Sequence, residues 1–320
     1  MNGKNQLKIE FISCRKGIDE LRMLQNLPLD IKIAKSKLRI QEWIDFYGVD
    51  DCYISFSGGK DSLVMLHLIK SMDIHDRIPV VFVDNGLEYP EIKAFVKKVY
   101  PNVKILRPKL SFKQVIEKYG YPVVSKEQSQ YLEDIQKGTE RLKKRRYEGY
   151  NGQFKLSKKY YYLADAPFKI SNKCCHAMKR EPIRKYEKET GRVPFLAIMA
   201  SESLLRQNIY LKTGCNDYDS KRPRCYPLGF WTDQDIYQYI LENNLEICSI
   251  YGDIVKDENG KLKPTGCTRS GCIWCCFGVQ YDEKPNRFQR LKITHPQIHD
   301  YCMNKLGLKQ VLEYMGEPYE

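Results

Sequence analysis

Apolar residues recur at helical spacing between residues 27 and 48, at Ile31, Ile33, Ala34, Leu38, Ile40, Trp43 and Ile44, and the pattern stops at Gly48. This predicts a helix that leads into the main domain. Residues 51–56 form a short β-prone run. The polar hexapeptide Ser57-Gly58-Gly59-Lys60-Asp61-Ser62 follows at once, ahead of an apolar helical stretch at 63–70. The nearly all-apolar run 78–83 suits a parallel strand buried on both faces. Residues 91–99 then predict a helix and 103–106 a third strand, while 193–200 reads as a further buried strand. Residues 232–242 predict a helix whose Thr232 and Asp235 have capping-box spacing. Strands alternating with helices at these lengths predict an α/β fold, a Rossmann-like doubly wound parallel sheet.

Two stretches break the rhythm. Residues 136–171 are polar, basic and rich in tyrosine, and read as an insertion or mobile lid. Residues 248–278 lack periodicity and are rich in Gly and Cys, as metal-held loops are. The organisation expected is an N-terminal helical segment (1–48), a nucleotide-binding domain (49–245) carrying the basic insertion, and a cysteine-rich C-terminal extension (246–320).

Composition narrows the class. The 320 residues are 42% hydrophobic and 29% charged, which excludes a disordered or fibrous chain. No apolar run approaches the roughly 18 residues that span a bilayer, and the polar N-terminus leads into no signal-like apolar stretch. A cytoplasmic protein with no membrane partner is the expectation. The net charge of +13 points to polyanionic partners. Without a secretion signal the 12 cysteines are expected to stay reduced. Cys14, Cys52, Cys215, Cys225, Cys248 and Cys302 are scattered and read as small buried hydrophobes.

The hexapeptide Ser57–Ser62 sits where a predicted strand meets a helix N-terminus. Its two glycines let the backbone approach a phosphate, and successive N–H groups with the helix dipole attract the anion. Ser57 and Ser62 add hydroxyl donors and Lys60 a charge. The spacing is not that of a Walker A loop.

Ser-Gly-Gly-x-Asp-Ser resembles the pyrophosphate loop of the adenine-nucleotide α-hydrolase superfamily, and further segments resemble its phosphoadenylyl-sulfate (PAPS) reductase branch. These are Asp84-Asn85-Gly86 with Tyr89-Pro90-Glu91, Cys174-Cys175 through Pro182-Ile183, Glu202-Ser203-Leu204-Leu205-Arg206, and Pro227-Leu228 with Trp231-Thr232 and Asp235. The resemblance runs in order from about residue 50 to 278. It implies that Ser57, Gly58, Gly59, Lys60, Asp61, Ser62, Asp84, Asn85, Gly86, Glu202 and Ser203 hold ATP or an adenylyl sulfonucleotide, with Mg2+ as a companion ion. It also makes Asp61, Lys179 and Arg206 the candidate catalytic residues. The chain departs from the family in two places. Ala197-Ile198-Met199 stands where a Gly-x-Arg is usual, and no Glu-Cys-Gly-x-His follows near the C-terminus, where the last cysteine is Cys302.

Cys267, Cys272 and Cys275, with Cys276 beside them, have the two- to four-residue spacing that zinc or an iron–sulfur cluster uses. The resemblance implies a [4Fe–4S] cluster on Cys174, Cys175, Cys272 and Cys275, with Cys267 as an alternative ligand and zinc or no metal as the other readings. Lys179 and Arg269 would offset its charge. His295 and His299 have i, i+4 spacing and read as surface or satisfied core residues.

Nine basic residues (Lys137, Arg141, Lys143, Lys144, Arg145, Arg146, Lys155, Lys158 and Lys159) face two glutamates between 137 and 159, interleaved with tyrosines. That is the composition of a nucleic-acid groove, or of a solvated helix face. Three functions follow. One is adenylation-dependent sulfur transfer, with tRNA or DNA as acceptor and a sulfur-donor protein. The second is sulfonucleotide reduction to sulfite with an electron donor. The third is non-catalytic nucleic-acid binding by an iron–sulfur protein.

Overall fold

The computed structural model describes residues 17–151 and 153–320, and Cys14 and the start of the expected N-terminal segment lie outside them. The chain forms two compact units that interleave along the sequence. The first takes the residues up to Phe82, Ala94–Lys104 and Thr190–Arg269, and the second takes Val83–Lys93, Ile105–Glu189 and Ser270–Glu320.

A mostly parallel six-stranded sheet lies chiefly in the first unit, with Val83, Ile105 and Leu106 counted in the second. Its order is Lys104–Leu106, Val80–Val83, Cys52–Ser55, Val193–Phe195, Arg224–Cys225 and Asn216–Asp217. Cys52–Ser55 is parallel to both neighbours, pairing Ile54 with Val80 and Cys52 with Val193, while the Asn216–Asp217 edge is antiparallel. The apolar character of Val80, Val81 and Phe82 follows from burial on both faces. The expected strand at 193–200 stops after Phe195, because the backbone then leaves the sheet. Ile198 N–H turns back to Leu196 O (2.9 Å) and Ala200 N–H bonds Gly229 O (2.8 Å).

The helix Leu29–Tyr47 is pinned by polar contacts that its apolar periodicity does not reveal. Lys32, 1% exposed, bonds both oxygens of buried Asp235 at 2.7 Å. Ser36 donates to Pro227 O (2.8 Å) and accepts from Trp231 Nε1 (2.9 Å). Asp235 also closes the predicted capping box on Thr232, which starts the helix Asp233–Glu242. One carboxylate thus serves both the helix start and its docking.

The second unit is mainly helical, with one short parallel pairing of Cys276–Phe277 on Val123–Val124. Here an expectation fails. Residues 136–171 are not a mobile lid: Leu156, Tyr160, Leu163 and Ile170 are buried together with Tyr131, Leu132 and Ile135. The segment supplies part of this unit's core, through single apolar residues too widely spaced to register as a periodic element.

Cys52, Cys215, Cys225, Cys248 and Cys302 are buried, as small hydrophobes. His299 is buried and its Nε2 bonds Tyr319 O (2.8 Å), a satisfied core histidine. His295 has an acidic partner that the sequence does not reveal, Glu91 at 2.9 Å. Among the described residues no helix is long and apolar enough to cross a membrane.

Candidate functional site

The loop between the strand Cys52–Ser55 and the helix Lys60–Lys70 is closed by its own serines. Ser57 N–H donates to Ser62 Oγ (3.1 Å), the two hydroxyls lie 3.0 Å apart, Gly59 N–H reaches Ser57 Oγ (3.3 Å), and Ser62 Oγ donates to Gly59 O (2.9 Å). Gly58 takes φ +73°, which explains a glycine there. Gly59 caps the helix without a side-chain bond. The N–H groups of the first turn therefore have no intrahelical acceptor, the condition under which a helix N-terminus attracts anions.

Lys60 serves a different end from the direct phosphate contact its position in the loop suggests. Its side chain is 4% exposed, and its ammonium lies 2.7 Å from both Asp61 and Asp233. Burial alone would lower its pKa, but the two carboxylates outweigh that and raise it, so the ammonium stays charged. Arg206, itself paired with Glu202, and Arg269 supply further positive charge near the loop. Burial and then Arg269 pull Arg206 below the usual guanidinium range, while Asp61 opposes them. An anion would relieve the repulsion between the two guanidiniums. Glu202 clamps Arg206 in an ion pair and accepts Met199 N–H (3.0 Å), and Ser203 caps the helix Leu204–Thr213. Arg269 was expected to offset charge at the cysteines. Within the first unit it acts on Arg206 and on Tyr237.

Asp84, Asn85 and Gly86 belong to the second unit. Asp84 accepts Gly86 N–H (3.2 Å) and pairs with Lys93 (2.7 Å), with Arg107 at 3.9 Å. Burial opposes ionisation, but Lys93, the Gly86 N–H and Arg107 together hold its carboxyl below the usual range. Asn85 is buried; its Oδ1 accepts Leu87 N–H (2.9 Å), whereas its Nδ2 has no hydrogen-bond partner.

The second unit also gathers four cysteines. Cys174-Cys175 precede a π-turn, His176–Arg180, that carries Lys179 and feeds the helix Glu181–Thr190. Cys272 and Cys275 flank a turn closed by Cys275 N–H on Cys272 O (3.2 Å) and tied to Leu87 O through Ile273 N–H (2.8 Å). Arg287, held by Asp282 at 2.7 Å, bonds Cys275 O (3.0 Å) and Phe277 O (3.1 Å). The thiols act on one another. The Cys174 thiol donates to the Cys175 sulfur, raising Cys174 and lowering Cys175 to about 6. Burial pushes Cys272 up, and burial with Cys272 pushes Cys275 up to about 11. Burial opposes charge on Lys179 too, yet Cys272, which it bonds, and Glu88 raise it. Glu88 and Arg287 are members of this neighbourhood that the sequence reading missed. Glu88 lies between the quoted segments Asp84-Asn85-Gly86 and Tyr89-Pro90-Glu91, whereas nothing local marks Arg287.

Cys267 belongs to the first unit, where its N–H bonds Ile250 O (2.8 Å). Cys276 is fully buried in the strand Cys276–Phe277. The four gathered thiols are the donor set that a thiolate-bound group requires. Among the described residues, no group of three or more His, Cys, Asp or Glu side chains is arranged to hold a single metal ion.

A sequence model of the phosphoadenosine phosphosulfate reductase domain matches residues 51–154 and 143–276. An uncharacterized protein of Methanocaldococcus jannaschii is 30% identical over 315 residues, covering 95% of this chain and 58% of its own length. A second uncharacterized protein of that organism is 26% identical over 228 residues, covering 69% of this chain and 35% of its own length. The chain thus spans about half or less of the length of these relatives. Among solved structures, the PAPS reductase of Candida auris in a phosphate complex aligns at 15% identity and a TM-score of 0.41, over 77% of this chain and 97% of that one. The FMN adenylyltransferase of Candida glabrata in complex with ATP aligns at 13% identity and a TM-score of 0.42, over 72% and 64%. On the extent of the sequence match, the chain belongs to the phosphoadenosine phosphosulfate reductase domain family.

Proposed function

We propose that the chain binds ATP at the Ser57–Ser62 loop and catalyses adenylation-dependent sulfur transfer. The observation that carries the reading is the first unit's loop: uncapped first-turn N–H groups, with Arg206, held by Glu202, and Arg269 as nearby cations and Lys60 enclosed by Asp61 and Asp233. Such a loop suits the pyrophosphate leaving group. An acceptor oxygen attacks the α-phosphorus, the bond to the β-phosphate oxygen breaks, and pyrophosphate departs with its charge held by the arginines. A sulfur donor then attacks the activated carbon, and AMP leaves with the acceptor's oxygen. Asp61, Lys179 and Arg206 remain the candidate catalytic residues, with Asp84, Asn85, Gly86, Glu202 and Ser203 as candidate nucleotide contacts.

The four cysteines of the second unit, Cys174, Cys175, Cys272 and Cys275, would hold a [4Fe–4S] cluster. Bound there, such a cluster supplies a sulfur-binding or electron-storing centre. Lys179 stabilises the thiolate form of Cys272 by hydrogen bond and charge.

Sulfonucleotide reduction needs a reactive thiol, and Cys302 does not supply one: it is fully buried and its thiol is pushed well up by burial. The two reactions separate in one assay. Anaerobically purified, iron-containing protein is incubated with ATP, sulfide and candidate acceptors, and in parallel with adenylyl sulfate or PAPS and a dithiol. Pyrophosphate and AMP in the first mixture are expected. Sulfite in the second, without pyrophosphate in the first, would replace this reading with the reductase.

A further inference from the structure

The surplus charge of residues 137–159 is not uniformly available. Lys137 is 3.4 Å from Glu133, Lys143 is 2.8 Å from Glu140, Lys144 is 3.9 Å from Glu148, and Arg146 is 2.7 Å from Asp134. Arg146 is further committed to the fold, lying 4.3 Å over the Tyr131 ring and bonding Phe154 O (3.1 Å). Among the described residues, no carboxylate pairs with Arg141, Arg145, Lys155, Lys158 or Lys159. The charge run therefore divides into a structural set and an exposed, unneutralised set.

The exposed set is interleaved with uncovered rings. Arg145 lies 5.8 Å from the ring centroids of both Tyr150 and Phe154, which are 62% and 46% exposed. Lys159 lies 4.7 Å from the Tyr160 ring and 5.6 Å from that of Tyr281, which is 71% exposed and comes from a distant part of the chain. Backbone bonds flank the described residues that present Tyr150 and Phe154. Tyr150 and Gln153 exchange backbone bonds of 2.8 and 3.0 Å, and Leu156 N–H bonds Arg146 O (2.7 Å). Gly149 has φ +82°, and a Cβ there would stand 2.8 Å from Gln153 O.

Exposed rings beside unpaired cations serve two different contacts. The cations meet phosphates. Open ring faces meet bases, and bases expose their faces only when unstacked from a duplex. We propose that this surface of the second unit binds single-stranded nucleic acid, with Arg145, Lys158 and Lys159 on the backbone and Tyr150, Phe154 and Tyr281 stacking on bases. The inference is independent of the reaction assigned to the loop.

The test is fluorescence anisotropy with a labelled 20-nucleotide single strand and a duplex of the same length, titrated at several salt concentrations. The wild type is expected to bind the single strand more tightly than the duplex. The variant R145A/K158A/K159A should bind at least roughly tenfold more weakly, and its salt slope should fall by about 2, since each phosphate contact on a single strand contributes about 0.7. Tyr281→Leu should weaken binding by about fivefold or more with an unchanged slope, since one base–ring stack is worth about 1–3 kcal/mol. The control K143A/K144A removes only neutralised lysines and should keep near wild-type affinity and slope. All substituted side chains except Lys143 are well exposed, and a thermal melt checks each fold. ATP affinity should be unchanged throughout. Absence of a complex at low salt, equal or tighter duplex binding, or an equal loss in K143A/K144A would each overturn the proposal.

Discussion

Lys60 in the first unit and Lys179 in the second stand at the two candidate centres, and they are used in opposite ways. Lys60 is enclosed by Asp61 and Asp233 at 2.7 Å each, so its charge is spent inside the protein before any ligand arrives. Lys179 bonds the Cys272 sulfur, with Glu88 as its other charged neighbour, so its charge favours the thiolate that a bound group requires. In the proposed function the loop would meet its ligand with backbone N–H groups, Arg206 and Arg269, and the cysteines would meet theirs with the sulfurs themselves. A lysine inside a motif is therefore no measure of positive charge offered to a ligand; its partners decide.

The largest effect expected is at the sulfurs. Cys272→Ser or Cys275→Ser should reduce iron from about four per chain to near zero and remove the brown colour of anaerobically purified protein, because serine oxygen is a poor ligand to such iron. ATP affinity should survive. One tightly held zinc in the wild type, with no iron, would refute the cluster.

Lys60→Met should be next. It leaves Asp61 and Asp233 facing each other at the start of a buried helix, and removing one member of a buried ion pair costs about 3–5 kcal/mol. Asp233 is 45% exposed, so the low end applies. Urea unfolding reads the loss, and K60M/D61N should recover part of it. Equal stability of K60M and wild type would show that Lys60 is not the counter-charge described here.

A smaller effect tests the carboxylate of the second unit. The native carboxyl of Asp84 is depressed, chiefly by Lys93 working against burial. Its stabilising contribution is therefore present above the ordinary carboxylate range and disappears as the pH falls through the depressed value. Lys93→Ala should lower the free energy of urea unfolding at pH 7 by no more than about 1 kcal/mol, because the pair is partly solvent-screened, and should lower it less at pH 3. A loss independent of pH would mean that Lys93 acts only by its side-chain contacts.

The sheet and the loop were legible in the sequence because both are local. Val80 to Val83 is apolar without interruption, and Ser57 to Ser62 bond one another across only five residues. What escaped notice depended on distant partners. Asp134 neutralises Arg146 from a separate helix, Arg269 approaches Arg206 from far along the chain, and Arg287 holds the backbone beside Cys275. The apolar residues Leu156, Leu163 and Ile170 follow no period, so a segment of core read as a lid. Local pattern reports the backbone; it does not report which charges are cancelled.

The central claim is that uncapped N–H groups and Arg206, rather than Lys60, receive the nucleotide's phosphates. Calorimetric titration of ATP into wild type and Arg206→Ala tests it most directly. The account predicts saturable one-site binding by the wild type, and about 10- to 100-fold weaker binding by the variant, the range for losing a hydrogen bond to a charged group. Equal affinity in the two proteins, or no ATP binding by the wild type, would contradict it.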